Sequence, residues 1–505
     1  MIDTLASLPR SRMSSVAKHV ASRFALTTMS AVAVLVLAAC ADMSGIDSHA
    51  KLRDTDKLDL TVLNANPNLR ASTVDSQWWL AFGDAQLNRL VDQAVAGNPN
   101  LQSALARLAR ARASTALAEA ADRPQLNGEL DLTRQKFSAT SIYPPPLGGA
   151  VVESGALQFN GSWEIDFFGK NRAALNAALG AANAAAADAD AARVLLASNV
   201  ARGYVQWARL NEQLTVAKRT LAQRDETLRL VRDRVSAGLD TRLELRQSEG
   251  GLPEARQQIE ALNEQIAIAQ HAIDALIGQP NASAALTPPV LQDIRTMPLQ
   301  ATLPADLLGR RADVAAARWR VEAATQDVKN AKAQFYPNVN LVAFAGFQSI
   351  GFDNLLHSGS QEWGIGPAVR LPIFEGGKLR ANLRGKNADL DAAIESYNAA
   401  VLDAVRDAAD QVTSAVSITR QQTEQRSAQD AAEGAYEIAV QRYRAGLGNY
   451  LNVLTAETSV LVQRRQAVDL AARALETQIG LARALGGGWQ PPVATASIGN
   501  AIDTP

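Results

Sequence analysis

Two stretches of this chain carry helix-forming residues for far longer than an ordinary globular helix runs. Residues 169–236 and 379–444 contain no proline and are rich in Ala, Leu, Arg, Gln and Glu. The pattern predicts one helix in each, on the order of 100 Å long at about 1.5 Å per residue. A glycine and a further helical stretch follow each tract, at about 241–277 and 449–485. Two long helical hairpins are therefore expected. Helices of this length must pack side by side, as a coiled coil or as the wall of an α-barrel. Taken alone, they are also compatible with an extended coiled-coil spacer.

Four segments with a period of two interrupt the helical pattern. In 126–133, Leu126, Gly128, Leu130 and Leu132 alternate with Asn127, Glu129, Asp131 and Thr133. In 157–167, Leu157, Phe159, Gly161, Trp163, Ile165 and Phe167 alternate with polar residues, and 339–347 and 363–373 repeat the scheme. Each segment has one apolar face and one polar or small face, the signature of an outer-membrane barrel strand, although a soluble sandwich alternates in the same way. Four strands cannot close a barrel, and lipid does not tolerate an open sheet edge. The barrel is therefore expected to be shared between chains, with the loops at 138–155 and 349–361 as its outer tips.

The second half of the sequence repeats the first. Ala237-Gly238-Leu239 recurs as Ala445-Gly446-Leu447, an offset of 208 residues that also pairs Arg234 with Arg442, Glu249 with Glu457 and Lys170 with Lys378. So long a period points to one duplicated unit and not to a solenoid. The expected organisation is a first repeat at 76–285, with a strand pair in 125–168 and a hairpin in 169–277. A second repeat covers 286–486, with a strand pair in 338–374 and a hairpin in 375–485, and a tail follows at 487–505.

The N-terminus sets the compartment. Basic residues from Arg10 to Arg23 precede the apolar run AVAVLVLAA at 31–39, too short to span a bilayer and suited to a signal peptide over residues 1–39. It ends in Leu37-Ala38-Ala39-Cys40, which resembles the bacterial lipobox, and Cys40 is the chain's one cysteine. A lone thiol cannot form an intrachain disulfide, so lipidation of Cys40 is its expected use, with 40–75 as the tether behind it. An ordinary secretory signal with an incidental cysteine is the alternative. Asp42 sits one place too late for the inner-membrane retention signal, so outer-membrane sorting is expected.

Charge and composition narrow the functional classes. With 50 basic and 51 acidic residues among 505, the net charge is −1 and no nucleic-acid footprint is present. Beyond the signal region His49, His271 and His357 stand apart, so no metal site of usual spacing is assembled and no cofactor is expected beyond the lipid on Cys40. The GGK at 376–378 lacks the flanking residues of a phosphate loop, and it and the FGK at 168–170 read as strand-to-helix corners. An enzyme is not expected.

Longer motifs carry a family resemblance. The segments QWWLAFGD (77–84), LLGRRADVAAARWRVEAA (307–324), AKAQFYPNVNL (331–341), LPIFEGGKLRANL (371–383), YRAGLGNYLNVLTAE (443–457) and ALGGGW (484–489) occur in the order found in TolC-type outer-membrane efflux proteins. The resemblance covers nearly the whole chain after Cys40 and is greatest to the NodT-like lipoprotein branch. It implies an α+β membrane protein, a homotrimer sharing a twelve-strand β-barrel in the outer membrane continued by a periplasmic α-helical barrel. It also implies a passive exit duct for drugs or other small molecules, partnered by a periplasmic adaptor and an inner-membrane pump of the resistance-nodulation-division type. Matched to this sequence, the adaptor-contact residues are Arg234, Ala237, Gly238 and Leu239 with Arg442, Ala445, Gly446 and Leu447.

Related channels carry acids near the second-repeat glycine. Here Asn449 follows Gly448, and Asp240 is the one acid immediately after either AGL, which makes it the candidate aperture residue. Three such carboxylates brought together would raise one another's pKa. The rival reading is a periplasmic coiled-coil adaptor or scaffold lipoprotein, which would need no lipid-facing strands; an envelope hydrolase lacks a nucleophile and base that can be paired.

Overall fold

The computed structural model describes residues 43–53, 74–140, 142–297 and 307–490. Cys40 and the apolar run before it lie outside these residues, as do 491–505. In chain order, a short 3₁₀ turn at Trp78–Phe82 leads to helices α1 (Ala85–Gly97) and α2 (Pro99–Ala121), then strands β1 (Gln125–Lys136) and β2 (Val151–Glu164). Helices α3 (Lys170–Ser236) and α4 (Arg242–Ile277) complete the first half. Helix α5 (Ala312–Ala333), strands β3 (Asn338–Ile350) and β4 (Gln361–Arg370), and helices α6 (Lys378–Arg444) and α7 (Tyr450–Ala484) form the second. Helices α3 and α6 are each 67 residues long and start 208 residues apart. The chain folds as two compact units that cut across this repeat: one includes Arg112–Ala181 and Val321–Ile394, the other Ala182–Arg320 and Glu395–Pro505.

In the first unit the strands form one antiparallel sheet in the order β1-β2-β3-β4. The register places Gly128, Phe159, Ala345 and Trp363 in one row, with Leu126, Gly161, Ala343 and Ile365 in a row on the same face. Directly opposed residues project to one side of a sheet, so the apolar alternation of the four strands merges into a continuous apolar face. That face is bare: Leu126 is 74% exposed, Trp363 77% and Ile365 68%. The opposite face carries the row Glu129, Gln158, Gly346 and Glu362, with Gln158 hydrogen-bonded to Glu362. Among the described residues the outer edges of β1 and β4 have no partner strand.

Strands β2 and β4 end earlier than the alternation predicts, whereas β1 and β3 run on to Lys136 and Ile350. Strand β2 stops at Glu164 because the chain turns: the Ile165 amide still donates to the Val339 carbonyl at 2.9 Å, but the Phe167 amide folds back onto Ile165. Strand β4 stops at Arg370, just before Leu371-Pro372, where the proline has no amide to offer a ladder. Ile165, Phe167, Leu371 and Ile373 therefore lie past the strands. At the other end β2 begins at Val151, well before residue 157, which shortens the first outer loop.

In this same unit residues 43–51 lie along the start of α6. Ile46 is buried with Leu383, Val328 and Phe335, and Met43 packs at the edge of that cluster. Asp391 accepts from the Ser48 hydroxyl at 2.6 Å and from the His49 and Ala50 amides at 3.0 Å each. This part of the expected tether is docked on the fold.

The second unit has the main core. Asp84 caps α1 by accepting from the Gln86 and Leu87 amides, and Leu87, Leu90, Val91 and Ala94 recur at helical spacing on its buried face. They meet Tyr204 and Trp207 of α3, Ile273 and Ile277 of α4, and Leu475 and Ile479 of α7. Each such side chain contributes about 1.5–3 kcal/mol on burial. Trp78, Trp79 and Phe82 of the QWWLAFGD motif close one side of this cluster. In the ALGGGW motif Ala484 and Leu485 join a separate small cluster with Ala408, Val412 and Leu481; Gly486, Gly487 and Gly488 all have positive φ, and a Cβ on Gly486 would stand 2.0 Å from the Arg310 carbonyl oxygen. Further along the helices, charged pairs join the two hairpins. Arg224 of α3 reaches Glu457 of α7 at 2.9 Å, and buried Arg464 grips Glu433 through two nitrogens at 2.5–2.6 Å while donating to Gln223.

If the bare face of the sheet meets lipid, Phe159→Arg will cost about 2–4 kcal/mol, while Arg at neighbouring Asn160, on the polar face, will be tolerated. Folding titrations of the two variants in lipid vesicles measure this, and equal tolerance would assign the alternation to a soluble sheet.

Candidate functional site

The turns that join the paired helices carry most of the residues singled out by the sequence. After α3, the Leu239 amide donates to the Arg234 carbonyl at 2.9 Å and the Gly238 amide to Val235 at 3.0 Å. After α6, Leu447 donates to Arg442 at 2.8 Å and Gly446 to Tyr443 at 3.1 Å. Both sets are the paired bonds of a Schellman termination, with glycine at the left-handed position, φ 74° and 76°. Such turns usually pack their final apolar residue against the helix residue five positions back. Here that residue is Arg234 or Arg442, and the leucines stay open, Leu239 65% exposed and Leu447 69%. Ala237 and Ala445 are exposed beside them. Each tip is a small apolar knob with no bulk on its glycine.

The next helix starts at once in both hairpins. Thr241 caps α4 in a reciprocal box with Glu244, and Asn449 caps α7 by accepting from the Asn452 amide at 3.0 Å. Asn449 thus has a capping role at the place where related channels have acids.

Asp240 and Arg234 behave differently from the sequence reading. Arg234 Nε donates to Asp240 Oδ2 at 2.9 Å, Arg234 Nη1 donates to the Tyr443 carbonyl at 3.0 Å, and the Tyr443 hydroxyl donates to Asp240. The guanidinium also lies over the Tyr443 ring, 4.6 Å from its centre. Tyr443 is fully buried beside Val231, Tyr450 and Val453. In the protomer Asp240 is therefore a half-buried member of a latch between the hairpins, where a free acid was expected, and half-buried Arg234 is engaged in the same latch, where a contact surface was expected. Burial pushes the Asp240 carboxyl up, but the hydrogen bonds from Arg234 and Tyr443 and the guanidinium charge outweigh it and hold the group below the usual carboxylate range. Burial and the bond to Asp240 push the Tyr443 phenol up. Arg442 remains exposed and donates to the Leu447 carbonyl at 3.2 Å.

Tyr443 was missed in the sequence, yet a signal was present. At the repeat offset Tyr443 matches Val235, and Asp240 matches Gly448. The latch is built from two positions where the repeats differ plus one arginine that they share.

Removing the carboxylate with Asp240→Ala leaves the covered Arg234 charge without its partner, at a local cost of about 2–3 kcal/mol. Amide exchange at residues 442–447 will accelerate while the core helices keep their protection. Because the folded pKa of Asp240 lies below its unfolded value of about 3.9, its contribution is present above that pH and lost as pH falls through the folded value. Wild-type tip exchange will therefore rise, relative to the core, only below about pH 4, and an onset near neutrality would contradict the latch.

Comparison with known proteins places this geometry. The profile of the outer membrane efflux protein family matches residues 90–279 and again 303–487. The fusaric acid resistance protein FusA of Burkholderia cepacia is 37% identical over 363 residues, 70% of this chain and 68% of that protein. The putative multidrug resistance outer membrane protein MdtQ of Shigella flexneri is 30% identical over 466 residues, 90% of this chain and 97% of MdtQ. Among solved structures, the outer membrane protein VceC from Vibrio cholerae matches with a TM-score of 0.76 and 36% identity, covering 82% of this chain and 100% of VceC. With one family profile matched in both halves and an established channel fold reproduced around a bare apolar sheet, the chain belongs to the outer membrane efflux protein family and is an outer-membrane channel with a periplasmic helical part.

Proposed function

We propose that three copies of this chain form the passive exit duct of a tripartite exporter, receiving small organic molecules from an inner-membrane pump of the resistance-nodulation-division type through a periplasmic adaptor. One observation carries the reading: a four-stranded sheet whose apolar face is bare and whose two edges lack partners among the described residues. Strands β1 and β4 run in opposite directions, so β4 of one copy beside β1 of the next continues the antiparallel pattern. Three copies supply the twelve strands that the family resemblance implies. Drug-like cargo is favoured because relatives are named for multidrug resistance, fusaric acid resistance and toluene efflux.

The adaptor seats on the open knobs, Ala237, Gly238 and Leu239 with Arg442, Ala445, Gly446 and Leu447. Arg234 and Asp240 support the knobs from behind. A lipid on Cys40 fits the docking of the segment that follows it. Met43 packs against the cluster that Leu383 of α6 helps to form, and three residues of chain reach at most about 10 Å beyond it.

Two experiments test this reading. Trp at both Gly238 and Gly446 will leave trimer formation and outer-membrane location intact, because the tips and the sheet belong to different folding units. It will nevertheless abolish drug resistance in cells and crosslinking from Leu239 and Leu447 to the adaptor. Wild-type resistance and crosslinking in that variant would reduce the tip to a helix turn. Cys40→Ser will block incorporation of radiolabelled palmitate, and unchanged labelling would remove the lipoprotein assignment.

A further inference from the structure

In the unit that contains the sheet, a cavity of about 580 Å³ opens where the strands give way to helices α3 and α6. Its strand-derived walls include Glu164, Asn338 and Arg370, which the register assigns to the polar face of the sheet. In a barrel whose apolar face meets lipid, that polar face lines the lumen. The cavity is then on the path of cargo.

Its chemistry is unusual for a simple aqueous wall. Phe168 and Tyr336 stack with ring centres 4.9 Å apart and planes within 10°, and both remain more than a third exposed. A flat aromatic face is thus offered to the cavity. Around it stand both signs of charge. Lys170 and Glu164 neutralise each other at 2.5 Å, and Asp166 is held by the Arg172 amide at 2.8 Å. Arg370, Lys378 and Glu375 are exposed, and among the described residues they form no ion pair. Uncommitted cations, an uncommitted carboxylate and a stacking surface line a space that holds a drug-sized molecule.

We propose that this cavity is a transit site for aromatic zwitterions. The carboxylate of the cargo meets Arg370 and Lys378, its ammonium meets Glu375, and its ring lies on the Phe168–Tyr336 pair. The proposal rests on the duct reading for the direction of the polar face, and it adds a ligand class to a channel wall otherwise treated as indifferent. Affinity is expected to be weak, in the millimolar range, since the cargo must leave again.

Saturation-transfer NMR on the full chain in detergent, with four probes sharing one ring, tests this directly: L-tryptophan, indole-3-propionate, tryptamine and indole. Tryptophan is expected to saturate at least three-fold more than either singly charged probe, with indole weakest. Arg370→Gln or Lys378→Gln will reduce tryptophan to the level of tryptamine, Glu375→Gln will reduce it to that of indole-3-propionate, and Tyr336→Leu will weaken every probe. Equal saturation by all four, indole strongest, or a tryptophan preference unmoved by these variants overturns the site. Efflux of a neutral drug, measured by susceptibility of cells carrying the wild-type chain, judges the duct separately. Tryptophan preference without restored efflux contradicts only the duct, and restored efflux without preference contradicts only the site.

Discussion

A backbone amide or carbonyl in hydrocarbon has no water to bond, and this constraint governs the rest of the molecule. Each such group left unpaired costs several kcal/mol, so a membrane-spanning sheet must close on itself. Among the described residues this chain supplies four strands and two open edges together with a bare apolar face. For one copy alone the apolar face is unfavourable in water and the open edges are unfavourable in lipid. The strand pairs, one in each half, fit the same constraint: a duplicated gene contributes two hairpins to one sheet, and under the proposed assembly other copies would complete the wall. The compact units accordingly gather matching pieces of both repeats instead of separating one repeat from the other.

Duplication gives near-symmetry, and the packing behind the tips depends on where symmetry fails. Both hairpins end in the same glycine turn with an exposed leucine, which suits a partner that meets each in a similar way. The interior differs. Val235 in one repeat is Tyr443 in the other, and Asp240 corresponds to Gly448, so a single buried latch joins the hairpins behind two similar knobs. A charged latch with satisfied hydrogen bonds holds one arrangement without adding bulk to the surface that a partner must approach.

Much of this was legible in the sequence because it is local. Proline-free tracts gave 67-residue helices with ends close to the expected ones, and the period of two assigned the faces of all four strands. Gly238 and Gly446 announced turns that require positive φ. What escaped notice depends on contacts across the fold. Asp240 follows a turn and resembles a solvated acid until Tyr443, 203 residues away, closes over it. The extended segment at 43–53 gives no hint in its own residues that Asp391 will collect three hydrogen bonds from it. Strand ends were overrun at Ile165 and Leu371 because alternation continues in sequence after the backbone has turned.

The shared barrel is the claim on which the remainder rests, and the mass of the membrane-extracted particle tests it most directly. Native mass spectrometry of the chain released from purified outer membranes is expected to give three copies per particle and no inserted monomer. A folded, membrane-inserted particle of one copy would contradict the account, because its two sheet edges would then have to be satisfied within a single chain.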